Sequence, residues 1–96
     1  MEYLDWLKQY KMTCVITGGR ATELHHVRAI GMGRDRKGDD VWHYTAIPVT
    51  MEVHRDIHSL SKEKFNQKYG FPGRDLFVYI WEAIHDLNIE YFSEAR

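Results

Sequence analysis

Four histidines stand where a site handling both a metal ion and a proton would place them. His54 and His58 are spaced i, i+4 in a stretch whose pattern predicts a helix, so both project from one face. Two imidazoles at that spacing can converge on one cation. Alone, the spacing is weak, since it also arises by accident on polar helix faces. His25 and His26 are adjacent at the end of a predicted strand. Neighbouring side chains of a regular strand point to opposite faces, so the two cannot do the same job there. At a strand end or bulge they can approach one site from different angles, one binding metal and the other moving a proton. Phosphodiester hydrolysis needs that division. A metal stabilises charge on the phosphate and leaving oxygen, and a neutral imidazole takes the proton from water.

The helix pair itself argues against a metalloprotease. That motif is HExxH, with the Glu as general base. Here the run is His54-Arg55-Asp56-Ile57-His58, and an arginine in the second place cannot accept a proton. Of the other histidines, His43 is near enough in sequence to matter, and His85 reads as a surface or packing residue.

These side chains need elements to hold them. Tyr3, Leu4, Leu7 and Tyr10 fall at helical spacing, so the first dozen residues read as a helix. Thr13 to Thr17 turns β-branched and reads as a short strand, closed by a turn at Gly18-Gly19. Ala21 to Val27 is a second strand, and Gly31 to Asp40, rich in glycine and charge, is a loop. A further strand runs from about His43 to Ile47, limited by Pro48, which cannot donate to a sheet ladder. Thr50 is the N-cap of a helix from Met51 to about Leu60, and Ser61 caps another through Tyr69. Gly70, Pro72 and Gly73 break the chain. The last helix, Asp75 to about Tyr91, carries Leu76, Ile80, Ile84, Leu87 and Tyr91 on its inner face. Phe77, Trp81 and Ile89 make it unusually apolar, which suits core packing and, as the sharper alternative, a homodimer contact.

Ninety-six residues suit one domain, 1–96, with a core over about 14–69 and the C-terminal helix over about 75–91. A chain this short buries a limited core, and a metal or a second subunit often helps it. The single cysteine, Cys14, leaves no disulfide framework within one chain and suits a reducing compartment. The opening MEYLDWLKQYKM has no basic start followed by an apolar run, and no stretch approaches the roughly 18 apolar residues of a membrane helix. A cytoplasmic protein with no membrane partner is the expectation. The net charge of −1 does not announce a nucleic-acid binder. Its distribution says more. Arg20, Arg28, Arg34, Arg36 and Lys37 crowd the middle, while Asp75, Glu82, Asp86, Glu90 and Glu94 crowd the end. The middle is thus a candidate phosphate-facing loop.

Glu23-Leu24-His25-His26-Val27, a Gly-rich basic loop, Tyr44-Thr45-Ala46-Ile47-Pro48-Val49 and His54-Arg55-Asp56-Ile57-His58 together resemble the HNH endonuclease superfamily. More narrowly, the chain is similar to phage and prophage HNH proteins related to the recombination-enhancement nuclease Ref. The resemblance spans about Cys14 to Tyr69. It implies an α+β chain with a ββα-metal (HNH, His-Me finger) core and flanking helices at both termini. It also implies a metal-dependent endonuclease acting on DNA in a bacterial host cell, leaving a 5′-phosphate and a 3′-hydroxyl. By position, His25 matches the first metal ligand, His26 the general base, and His54 and His58 the two helix ligands. The cofactor would be one divalent ion, Mg2+ or Mn2+ in use, with Zn2+ or Ni2+ also suited to three imidazoles. Arg28, Arg34, Arg36 and Lys37 would meet DNA phosphates, giving salt-dependent and largely sequence-independent binding.

Three departures from the family pattern bear on catalysis. The middle Asn, which orients the catalytic His, is missing from His43-Tyr44-Thr45, so Thr45 or His43 would have to substitute. Many relatives bind a structural zinc through two Cys pairs; Cys14 stands at the first place, but Thr17, Thr50 and Val53 occupy the others. His54 follows Val53, where some relatives carry a second adjacent His. The alternative reading is therefore a catalytically weak or inactive DNA-binding or recombination-accessory module with the same fold. A small protein using its histidines for a structural metal only is a third reading.

Overall fold

The computed structural model describes residues 1–27, 43–70 and 73–94. Arg28, Arg34, Arg36 and Lys37, with the loop expected over Gly31–Asp40, lie outside the described residues. The elements run α1 (Tyr3–Tyr10), β1 (Glu23–His26), β2 (Ala46–Val49), α2 (Met51–Ser59), α3 (Lys62–Tyr69) and α4 (Leu76–Glu94). This is an α+β fold: a two-stranded antiparallel sheet flanked by helices. Among the described residues no helix is long and apolar enough to cross a membrane.

The register pairs Glu23 with Val49, Leu24 with Pro48, His25 with Ile47 and His26 with Ala46. Directly opposed residues share a face, and that sorts the sheet. Ile47 and Val49 join one apolar cluster with Val53, Phe65, Leu76, Ile80 and Ile84. Ala46 and Leu24 join a second with Tyr3, Trp6, Leu7 and Tyr91. The sheet thus has a core on each side, and α4 is long enough to serve both.

Local chemistry accounts for most boundaries. Thr50 Oγ1 accepts the Val53 N–H at 3.1 Å, and Ser61 Oγ accepts the Lys64 N–H at 3.1 Å; both N-caps are as read from the sequence. Asp75 Oδ1 accepts the Phe77 N–H at 2.8 Å, and Asn66 Oδ1 accepts the Leu76 N–H at 2.7 Å, tying the start of α4 to α3. On α4, Leu76, Ile80, Ile84 and Tyr91 are buried as expected, while Val78, Trp81, Ile89 and Phe92 remain exposed.

Three expectations are corrected. Thr13–Thr17 is not a strand: residues 15–17 form a turn, with a lone bridge between Thr13 and Arg20. Gly18, at φ +79°, permits the reversal, and the Val15 N–H bonds the Pro48 carbonyl at 3.1 Å from outside the ladder. The strand expected over His43–Ile47 starts later, at Ala46, behind a short helical turn over 43–45, and it includes Pro48. Both strands are edges of a two-stranded sheet, so a residue without an N–H is tolerated. On α1, Trp6 rather than Tyr10 faces inward, packing on Tyr91 with ring centroids 5.3 Å apart.

Candidate metal centre

β1 and α2 build the site between them. Glu23 and His25, two residues apart on β1, share the face that α2 covers, while His26 lies on the opposite face at the strand's end. The Thr50 cap starts α2 immediately after β2, and His54 and His58 follow one turn apart. The three rings of His25, His54 and His58 form a nearly equilateral triangle: centroids are 5.2 Å, 5.0 Å and 5.0 Å apart. One ring nitrogen from each lies within 4.8 Å of the others. Imidazoles on one ion at about 2.0–2.1 Å have nitrogens about 3.3 Å apart in tetrahedral geometry, so closing by about 1.5 Å at most brings all three onto an ion. His25 is buried, His54 half-buried and His58 exposed, which leaves one side of the triangle open.

Electrostatics favour neutral ligands at the buried corner. Burial, followed by the neighbouring His54, His58 and His26, pushes the His25 pKa down to about 4. A neutral imidazole is the form that binds metal. His54 Nδ1 donates to Glu23 Oε1 at 2.5 Å, which leaves Nε2 as the ring atom free to ligate. Sequence reasoning gave Glu23 no role. The available signal was its position two residues before His25, on the same strand face.

His26 has a different partner. Its Nε2 lies 2.9 Å from His43 Nδ1, in the turn before β2. Burial, then the nearby His43, lowers the His26 pKa. Of the two residues that the resemblance would have stand in for an Asn, His43 reaches the His26 ring. Thr45 contributes its backbone carbonyl, which accepts the Val27 N–H at 3.2 Å and extends the pairing past β1.

Elsewhere, His85 is exposed on α4 and lines a shallow pocket with Val78, Trp81, Glu82 and Asp86. Cys14 is buried under the turn before Gly18. Its Sγ accepts the Thr17 N–H at 3.4 Å. Burial pushes this thiol up, but hydrogen bonds from Thr17 and from the Thr50 and Ile16 backbone outweigh it and hold it below its ordinary value. Cys14, Thr17 and Thr50 therefore do gather at one place, joined by hydrogen bonds.

Comparison with curated proteins and with solved structures returns no match. A family comparison does, over residues 1–85, a span that takes in the histidine triangle, His26 and His43. The chain belongs to the family described as protein of unknown function (DUF968).

Proposed function

We propose that this chain is a metal-binding ββα-type domain that acts on DNA phosphodiesters. The observation that carries the reading is the convergence of His25, His54 and His58 from a strand and a helix, with His26, in contact with His43, lining the same cleft as His25 and His58. The donor set fits a borderline ion such as Zn2+ or Ni2+; Mg2+ or Mn2+ would need phosphate oxygens and waters to complete a harder shell. Bound there, a divalent ion supplies charge stabilisation at the phosphate and at the leaving 3′-oxygen. His26 supplies the base. With Nε2–H donated to His43, its Nδ1 carries the lone pair and takes the proton from the attacking water. The lowered pKa keeps that ring neutral and able to accept. The basic stretch containing Arg28, Arg34, Arg36 and Lys37 supplies phosphate contacts.

The test is His26→Ala. We expect it to keep metal affinity and lose plasmid nicking in Mn2+, by at least the roughly 100-fold assigned to a general base. Nicking equal to that of the parent chain would remove His26 from the mechanism. A second reading, DNA binding without turnover, is favoured by two observations. The triangle is made of imidazoles alone, and a histidine instead of an Asn partners His26. A salt-titrated binding assay run beside the nicking assay separates the two: binding with no cleavage in any metal selects the accessory module.

A further inference from the structure

A cleft of about 270 Å3 opens against the histidine triangle. Its first wall is His25 and His58 of the triangle together with His26. Its second is apolar: Val27 at the end of β1, Ile57 on α2, and Phe77 and Ile80 from the first turns of α4. A site that only gripped a duplex backbone would have no use for an apolar wall beside the scissile phosphate, because phosphate contacts are made by cations and N–H donors. The volume falls just below the roughly 300–1,000 Å3 of ordinary ligand pockets. It suits one planar group and not a base pair. Lys62 Nζ, outside the cleft's own lining and 3.9 Å from Asp75 Oδ2, lies over the Phe77 ring at 5.3 Å from its centroid. An aromatic ring flanked by a cation is how proteins hold unpaired nucleotides, the base on the ring and the phosphate on the charge.

Resting on the reading above, we propose that this cleft receives one unstacked base next to the phosphate held at the histidines, so that the substrate is single-stranded or locally unpaired DNA. A paired base stays in its stack and cannot enter; extruding it costs a few kcal/mol, least where the strand is already single. The four apolar side chains read no base edge, so the preference is for strandedness and not for sequence.

The experiment measures binding and cleavage of a mixed-sequence single-stranded oligonucleotide and of its duplex by the Mn2+-loaded protein, at one fixed salt concentration. A series of single-stranded probes carries one abasic position each. Phe77→Leu keeps an apolar residue on Phe65 while removing the ring, and circular dichroism checks its fold. We expect the single strand to be preferred at least 10-fold. One abasic position, adjacent to the cleaved bond, should weaken binding roughly 5-fold or more. Phe77→Leu should weaken the intact probe similarly, and the abasic probe no further. Equal use of duplex and single strand, or a flat abasic series, overturns this inference while leaving the metal-dependent DNA reading in place. Failure to bind either form overturns both.

Discussion

Glu23 and His43 each engage one ring nitrogen of a histidine, of His54 and His26 respectively. Glu23 takes the Nδ1–H of His54, so Nε2 faces the triangle. His43 Nδ1 lies 2.9 Å from His26 Nε2, and in the tautomer where His26 donates that proton its Nδ1 is the basic nitrogen of the proposed mechanism. A carboxylate behind a ligating imidazole fixes the tautomer and raises its basicity, and losing one typically costs 10–100-fold in metal affinity. Glu23→Gln should therefore weaken Zn2+ binding by about 10- to 100-fold in a competitive chelator titration, with the fold unchanged. A loss under 2-fold would mean that Glu23 packs against His54 without tuning it.

Helix α2 carries both ligands and must be held at one angle to the sheet. Part of that hold is Asp56, buried on the same helix. Its Oδ2 accepts from Lys68 Nζ at 2.7 Å and from the Tyr69 hydroxyl at 2.6 Å, both at the end of α3. Lys68, then Tyr69, hold this carboxyl below the usual carboxylate range. Burial and the bond to Asp56 push Tyr69 up to about 12. A carboxyl with a lowered folded pKa stabilises the fold above its unfolded value of about 3.9 and loses that contribution as pH falls through the folded pKa. Asp56→Asn should lower stability at pH 7 and reduce the slope of stability against pH below about 4. Denaturant midpoints measured from pH 2 to 7 would check it; parallel curves for parent and variant would refute the assignment. The Lys11–Glu90 pair joins the chain's two ends, but partly exposed pairs give only about 0–1 kcal/mol. The Tyr3, Trp6 and Tyr91 rings, all buried with neighbouring centroids 5.0–5.7 Å apart, are the stronger tie.

At the scale of the whole molecule, the described residues form two small apolar clusters on either side of a two-stranded sheet, little for a small domain to stand on. An ion joining β1 to α2 would add to it. Free metal at 100 times its dissociation constant stabilises a folded state by about 2.7 kcal/mol, which for a domain this size raises Tm by roughly 10 °C or more. Thermal melts in chelator and in excess Zn2+ should show that rise; no shift would mean the triangle does not bind. Run at several protein concentrations, the same melts address the homodimer contact that is the alternative to core packing for α4, where Val78, Trp81, Ile89 and Phe92 face outward. A Tm that rises with concentration supports that contact, and a constant Tm removes it.

Residues close together in the chain made much of this legible before any coordinates. The caps at Thr50 and Ser61, the helix between them and the shared face of His54 and His58 follow from backbone and side-chain chemistry within one or two turns. So does the placement of His25 and His26 on opposite faces of β1, because a strand alternates. The Thr13–Thr17 stretch shows where local preference gives way. Its β-branched residues suit a strand, yet Gly18 reverses the chain and Val15 finds its partner on Pro48. Convergence is another matter. Glu23 and His54 are 31 positions apart, His26 and His43 are 17 apart, and Phe77 and Ile80, half of the apolar wall, come from α4, at the far end of the chain. No periodicity or propensity encodes those meetings. They exist because burying Ile47, Val53, Phe65 and Ile80 in one cluster forces β1, α2 and α4 together, and the polar groups beside that cluster must then pair with whatever the packing brings them.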